Sequence, residues 1–318
     1  MGGDYAPEQV VEGAALAAAD FPGTEITVVA RPEVKAMVDR HPALGFLAAA
    51  EVVEMDDHPA QAVRQKRDSS MVVCARLCRE GKADGWVSAG NSGGIMAAAL
   101  LVQGRVKGVD RPALGSVVPT QEGTAYFLDV GANVDSRPEF LVQFAQMGTV
   151  YSRTLMSRAN PRVGLLANGE EESKGDELVR DVHAKLKVHE GLNFVGNVEP
   201  KEMFAGKADV IVADGFAGNL TIKTAEATAD FLFKNMREVI PSTLTGKLGG
   251  LLIRPGVQRI RARIDWREFG GAPLLGIDGV AVVAHGRSDA RALRNAIRVG
   301  REAVEGRLVE RIREAVSA

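Results

Sequence analysis

The sequence predicts an α/β protein built on a largely parallel sheet with helices on both faces. Two observations carry this. A short apolar stretch, a polar glycine-rich loop and a helix recur along the chain, and strands alternating with helices form parallel sheets. The strand stretches are apolar throughout rather than alternating, as strands buried on both faces are. Composition agrees. A chain of 318 residues with 46% hydrophobic residues and a formal charge of −2 is globular rather than disordered. Two cysteines exclude a disulfide scaffold. No apolar run approaches the ~20 residues of a transmembrane helix, and no basic-then-apolar leader opens the chain. A soluble cytoplasmic protein is expected, organised as a single domain over 1–318 without linker or repeat.

The elements follow in order. Ile26–Val29 is a β-branched strand stopped by Arg-Pro. Gly85–Ser88 is a strand that runs into Ala-Gly-Asn-Ser-Gly-Gly, and Ile95–Val102 continues as a helix. Ala125–Val130 is a strand ending in Gly-Ala-Asn-Val-Asp. Pro138 then suits a first helical turn, with apolar spacing from Phe140 towards Tyr151. Arg162–Leu166 precedes Ala-Asn-Gly-Glu-Glu-Glu-Ser-Lys-Gly-Asp and a helix from Glu177. Asn193–Val195 is a strand closed by Gly-Asn-Val-Glu-Pro. Asp209–Ala213 leads through Asp-Gly-Phe-Ala-Gly-Asn into a helix from Leu220 to Ile240. Gly279–Ala284 ends in His-Gly-Arg-Ser-Asp before the last helix, from Ala290. In such sheets the loops after strands bind ligands at the carboxyl ends. These loops are therefore expected to converge on one edge.

Neither Gly-x-x-x-x-Gly-Lys-Ser/Thr nor a strand-following Gly-x-Gly-x-x-Gly is present. Ser88, Gly90, Asn91, Ser92 and Gly93 nevertheless suit an anion. Glycines let the backbone approach, a helix start points amides at the loop, and Ser92 adds a hydroxyl. A plain tight turn is the alternative. The five histidines lack ligand spacing, so no metal is expected. Cys74 and Cys78 read as core thiols. No Ser-His-Asp order or Gly-x-Ser-x-Gly elbow is visible. Lys174 is a cation in a strand-end loop, and Asn91, Asn133, Asn168, Asn197 and Asn219 lie in such loops too. The amides either cap helices or polarise a carbonyl. With no covalent nucleophile in view, the attacking group is expected to be an anionic substrate.

Taken together the loops resemble the phosphate acyltransferase family of bacterial phospholipid synthesis (acyl-carrier-protein:phosphate acyltransferase, PlsX type) over nearly the whole chain. The resemblance rests on Met1-Gly-Gly-Asp-Tyr-Ala-Pro7, Ser88-Ala-Gly-Asn91, Leu128-Asp-Val-Gly-Ala-Asn133, Gly169-Glu-Glu-Glu-Ser-Lys-Gly175, Gly196-Asn-Val-Glu199, Asp214-Gly-Phe-Ala-Gly-Asn219, Gly270-Gly-Ala-Pro-Leu-Leu-Gly276 and His285-Gly-Arg-Ser288. It implies a Rossmann-like three-layer α/β/α fold akin to the isocitrate/isopropylmalate dehydrogenases, without a cofactor, and a homodimer. The reaction implied takes acyl-carrier-protein thioester and inorganic phosphate to acyl phosphate and free carrier protein. The product then supplies a membrane glycerol-3-phosphate acyltransferase. A thioester and an acyl phosphate are both activated acyl groups, so no ATP site is needed.

By the motif match Lys174 stabilises charge on the phosphate or the tetrahedral intermediate, and Asn219 holds the carbonyl or oxyanion. Asp4, Ser88, Gly90, Asn91, Ser92, Gly93, Asn133 and His285 form the phosphate-binding edge. For Asp4 helix capping, and for His285 a structural hydrogen bond, are the alternatives.

Residues 241–318 carry a net charge of +6 and residues 1–240 of −8. Carrier proteins are acidic, which gives the positive quarter a use. Arg254, Arg259, Arg261, Arg263 and Arg267 are taken as the docking segment, in preference to the helical stripe Arg287, Arg291, Arg294, Arg298 and Arg301. Beside them, Leu248, Leu251 and Leu252 read as core or dimer interface, or as a tip lying on anionic lipid. The low aromatic count, 5%, offers no base-stacking platform for nucleic acid.

Two departures from the family pattern stand out. Its members carry a short apolar strand before Met-Gly-Gly-Asp, whereas this sequence starts at that Met. Ser92-Gly93-Gly94 replaces the usual Thr-Gly-Ala. A phosphotransacetylase-like enzyme using coenzyme A, and a non-catalytic carrier-protein or membrane scaffold, are the competing readings.

Overall fold

The computed structural model describes residues 1–317. Ten strands are assigned among them: β1 Ile26–Ala30, β2 Leu44–Ala48, β3 Gly85–Ser88, β4 Ala113–Thr120, β5 Gly123–Leu128, β6 Arg162–Leu166, β7 Asn193–Val198, β8 Val210–Val212, β9 Ala272–Leu275 and β10 Val280–Val283. Eight form one sheet in the order β3-β10-β9-β4-β5-β8-β6-β7. The fold is α/β with a mostly parallel sheet, as the strand-loop-helix recurrence implies.

Two findings modify the expected topology. Ile26–Ala30 pairs with β2 in a separate two-stranded sheet. The main sheet also runs in two directions. β3 and β10 are parallel, β5, β8, β6 and β7 are parallel, and β9 and β4 join the two sets by antiparallel pairing. Strands β2, β4 and β9 are missing from the sequence reading because each is punctuated. β2 holds Gly45, β4 holds Gly115 and Pro119, and β9 holds Pro273, and such residues argue against a strand when read locally.

The two opposed sets are slid past each other. Along β9, Leu274 faces Leu114 of β4 and Pro273 faces Val282 of β10. One step further along β4, Gly115 faces Leu128. Leu128, the last residue of β5, therefore stands level with Val282, one residue short of the ends of β10 and β3 at Val283 and Ser88. The carboxyl ends of both sets meet at one level of the sheet instead of along one edge. Between β10 and β5 lie three strand spacings, about 14 Å.

Helices cover both faces. Pro138–Leu155, Ala290–Glu305 and Leu308–Ser317 pack one face through Phe144, Met147, Ala296 and Ile312. Ser70–Arg79 and Ser92–Ala98 pack the other with Val72, Ala75 and Ile95. Phe127, Phe144 and Leu165 are fully buried, and each such side chain contributes about 1.5–3 kcal/mol. Cys74 and Cys78 pack against the second of these clusters, and burial pushes both thiols up to about 12, which suppresses thiolate chemistry.

From this body project the helices Gly215–Val239 and Leu244–Arg263. The second has no buried residue, and Leu244 and Leu252 are 85% and 73% exposed. No described helix is long and apolar enough to cross a membrane.

Candidate active site

The loops leaving β3 and β10 meet the N-terminal segment. Ala284 N–H donates to the Ser88 carbonyl at 2.8 Å, and Asp4 N–H to the Gly286 carbonyl at 2.9 Å. Asp4 does not cap the following helix, whose N-cap is Pro7. Its carboxylate lies beside Gly286. Asn91 is the N-cap of Ser92–Ala98. Its Oδ1 accepts from Gly94 N–H at 2.9 Å, and its Nδ2 donates to the carbonyls of Glu54 and Met55, both at 3.1 Å. That amide is spent on holding the 54–57 loop, so Asn91 shapes the edge instead of offering a free donor. Ser88 Oγ likewise accepts from Gly90 N–H. Ser92 is exposed at the helix start, and Gly93 sits against Pro59, whose ring leaves no room for a Cβ.

His285 Nδ1 accepts from Arg287 N–H at 3.2 Å, which leaves the proton of the neutral ring on Nε2. Burial, with Lys223 and Arg287 nearby, lowers its pKa below 6.5. The unfolded chain therefore protonates first as pH falls. The stability contributed by neutral His285 is complete above pH 6.5 and is lost as pH falls through the folded value. His285→Gln is expected to flatten that part of the unfolding free-energy profile. Denaturant melts of the two proteins across this range check it, and parallel profiles would refute it.

The loops leaving β5 and β8 are stitched around Asp129, which is fully buried. Its carboxylate accepts from the N–H groups of Leu114 (3.0 Å), Gly131 (3.2 Å), Ala132 (3.0 Å) and Asn133 (2.7 Å), and from Asn133 Nδ2 (2.9 Å). Burial raises its pKa while the amides of Ala132, Asn133 and Leu114 pull it down. Asn133 Nδ2 also donates to the Pro112 carbonyl at 2.8 Å. Asn133 is thus a brace, and Asp129, unassigned from sequence, is the centre it braces. The cue was present in Leu-Asp-Val-Gly-Ala-Asn, an acid directly after an apolar strand and before a run of amides.

Asp214 caps the helix Gly215–Val239 through the N–H groups of Phe216 and Ala217. This helix starts hard against the Asp129 loop. A Cβ on Gly218 would lie 1.9 Å from the Asp129 carbonyl oxygen, so only glycine permits the approach. One residue on, Asn219 is exposed and its amide lies over Gly131, whose φ is +135°. Further along, Lys223 and Glu226 act on His285. The helix therefore starts at the β5–β8 loops and carries charges that reach the β10 loop electrostatically.

Lys174 lies in the loop leaving β6, next to β8 in the sheet. Asn168 Oδ1 accepts from Gly175 N–H at 2.9 Å and closes the loop. The Glu171 carbonyl accepts from Lys174 N–H and from Asn197 Nδ2. Asn197 is itself buried and paired with His183 Nδ1 at 2.8 Å. Lys174 is exposed, and its ammonium makes no ion pair among the described residues. Asn219 and Lys174 thus emerge from neighbouring strands, one on a helix start and one on a braced loop.

The basic segment divides. Arg254, Arg259, Arg261 and Arg263 are exposed on Leu244–Arg263 and form no ion pair among the described residues. Arg267 does not join them. Its guanidinium is held by Asp265 and Asp289 at 2.6 and 3.0 Å, so it is a structural cation and not a docking one. Four arginines of the other stripe are paired as well: Arg291 with Glu268, Arg294 with Asp20, Arg298 with Glu302 and Arg301 with Glu305.

A family model described as "Fatty acid synthesis protein" matches residues 1–311. A phosphate acyltransferase of Pelotomaculum thermopropionicum is 46% identical, the match covering all of this chain and 94% of that protein. A phosphate acyltransferase of Desulfitobacterium hafniense (strain Y51) is 48% identical over 99% of this chain and 95% of that protein. Among solved structures, EutD phosphotransacetylase from Staphylococcus aureus aligns with a TM-score of 0.56 at 14% identity, covering 93% of this chain and 99% of that one. A branched-chain phosphotransacylase from Enterococcus faecalis aligns at 0.56 and 13% identity, covering 95% and 97%. These structures share the fold.

Proposed function

The chain belongs to the phosphate acyltransferase family, and from that membership we propose that it moves the acyl group of an acyl-carrier-protein thioester onto inorganic phosphate, for phospholipid synthesis. A phosphate oxygen attacks the thioester carbonyl. The tetrahedral oxyanion then collapses, the carbon–sulfur bond breaks, and the carrier's thiolate leaves to take a proton from water. The observation that supports this reading is the sheet register, which ends β10 and β5 at one level, with the Ser88–Gly93 and His285 loops following one set of strands and the Lys174 and Asn219 loops the other. Such a site can hold an anion against a carbonyl and stabilise the developing charge.

In this reading Lys174 faces the phosphate or oxyanion, Asn219 Nδ2 donates to the carbonyl oxygen, and Ser92 with the Asp4 and His285 loops seats the phosphate. The exposed arginines 254, 259, 261 and 263 meet the acidic carrier. The product is a mixed anhydride, fit to acylate the hydroxyl of glycerol 3-phosphate in a membrane acyltransferase.

The test is acyl-phosphate formation, trapped as hydroxamate, from acyl-carrier protein and from acyl-coenzyme A, each with and without phosphate. Phosphate-dependent product with the carrier substrate at much the higher kcat/KM is expected. Preference for acyl-coenzyme A would move the enzyme to the phosphotransacetylase type, and no product from either donor would leave a scaffold.

The projecting helices have their place in the same reading. Twenty residues of helix with no buried side chain require a partner surface. We assign the bulk of the arm to a second copy of the chain and Leu248, Leu251 and Leu252 to contact with anionic lipid. Leu251→Glu/Leu252→Glu is expected to abolish flotation with anionic vesicles while the dimer mass in sedimentation is kept. Loss of the dimer with flotation intact would reverse the assignment.

A further inference from the structure

We propose that a pocket framed by Arg105, Arg111 and Arg137 binds the phosphodiester of the donor's pantetheine arm. The inference rests on the acyl-transfer reading above and names where the donor is gripped.

The pocket has a volume of about 740 Å³, with Leu100, Leu101 and Phe140 as its apolar wall. The guanidiniums of Arg111 and Arg137 each lie 5.9 Å from the centre of the Phe140 ring. Two like charges are thus drawn to one aromatic ring. None of the three arginines forms an ion pair among the described residues. Arg105 donates to the Asp110 carbonyl. Of the two acids in the lining, Asp110 accepts from Gln143 Nε2 at 3.2 Å and Asp135 is exposed.

The pocket is tied to the catalytic edge by the Asp129 loop. Asn133 Nδ2 holds the carbonyl of Pro112, next to Arg111, and Arg137 follows Asn133 by four residues. Both walls are therefore set by the brace that also sets Gly131 beneath Asn219. From Gly131 to Arg137 the chain spans at most about 21 Å. A pantetheine arm matches this layout. It has a phosphodiester at one end for a guanidinium fork, a dimethyl-substituted carbon beside it for the leucines and Phe140, and the sulfur at the far end. Leu100 and Leu101 belong to a π-helical turn, Ala99–Gln103, that continues the helix starting at Ser92. The donor pocket and the phosphate loop are thus opposite ends of one helical segment.

The test is direct binding of 4′-phosphopantetheine and of pantetheine, which lacks the phosphate, to the wild type and to Arg105→Gln/Arg111→Gln/Arg137→Gln. Phosphopantetheine is expected to bind the wild type and to weaken at least about tenfold in the variant, the effect of about 1.4 kcal/mol. Pantetheine should be indifferent to the change. Equal binding of the two probes, or phosphopantetheine affinity untouched by the variant, overturns the proposal. Should the triple variant not fold, Arg111→Gln and Arg137→Gln singly give the same reading. Competition by coenzyme A and by holo-carrier protein, with apo-carrier protein as control, tells which molecule brings the arm. If the wild type makes no acyl phosphate from any donor, the functional reading falls while these titrations still decide the pocket.

Discussion

Lys174→Ala is expected to lower acyl-phosphate formation by at least ~10²-fold while leaving the fold intact. The magnitude is that of losing one preorganised electrostatic group, about 2.7–4 kcal/mol of transition-state stabilisation. The fold should persist because nothing structural depends on the ammonium. Asn168 closes the loop onto Gly175, and Asn197 holds the Glu171 carbonyl from below. Only the stem of Lys174 packs, against Gly169. Lys174→Met keeps that stem and should be as inactive as the alanine variant, which separates charge from packing. Steady-state kinetics with phosphate varied and an unfolding curve for each variant make the check. Turnover within a few-fold of wild type in either would remove Lys174 from the chemistry.

Asp129→Ala should be the most destabilising change at the site. Five N–H groups aim at this carboxylate within a fully buried setting. Each donor left without an acceptor costs about 1–3 kcal/mol. Even with water replacing part of the carboxylate, a loss of at least ~3 kcal/mol is expected, a fall in Tm of at least ~4 °C for a chain of this size. Asp129→Asn keeps the shape but turns an NH₂ towards donors, so it should recover only part of the loss. Thermal and urea unfolding measure both. A Tm within about 2 °C of wild type for the alanine variant would show that the loop is held by something else.

Much of the fold was legible because strands buried on both faces announce themselves as apolar runs, and helices as caps and periodic spacing. Arg162–Leu166, the helix from Glu177 and the helix from Pro138 are of that kind. What escaped reading depends on partners far along the chain. β9 is four residues with a proline, and it is a strand only because β4 and β10 flank it. The reversal of direction between the two sets of strands has no local signature at all.

At the site, Lys174 stands out in the sequence as a cation in a strand-end loop, whereas Asn219 is set apart from the other loop asparagines only by the family motif. Asn91 and Asn133 looked the same on paper. Their amides are consumed by carbonyls 34–37 and 21 residues away in sequence, which no local pattern discloses. Arg267 is held partly by Asp289, 22 residues off, and partly by Asp265, only two residues away, whose acid beside the arginine was the local cue.

The sliding of the two strand sets has a consequence for tolerance. The heights of the Ser88–Gly93 loop and of the Lys174–Asn219 side are fixed relative to each other by the pairing of Ala113 and Leu114 with Leu275 and Leu274. Reacting atoms must be brought to about 3–3.5 Å, and slipping that short ladder by one residue would displace one wall against the other by about 3.4 Å. It would also turn every side chain of β9 to the wrong face. The Leu114 amide on Asp129, the Val130 amide on the Leu114 carbonyl and the bridge between Arg105 and Ile277 pin the ladder in place. For the proposed reaction, the spacing of the two walls is thus gauged by a two-residue ruler, with its zero mark locked by the buried aspartate.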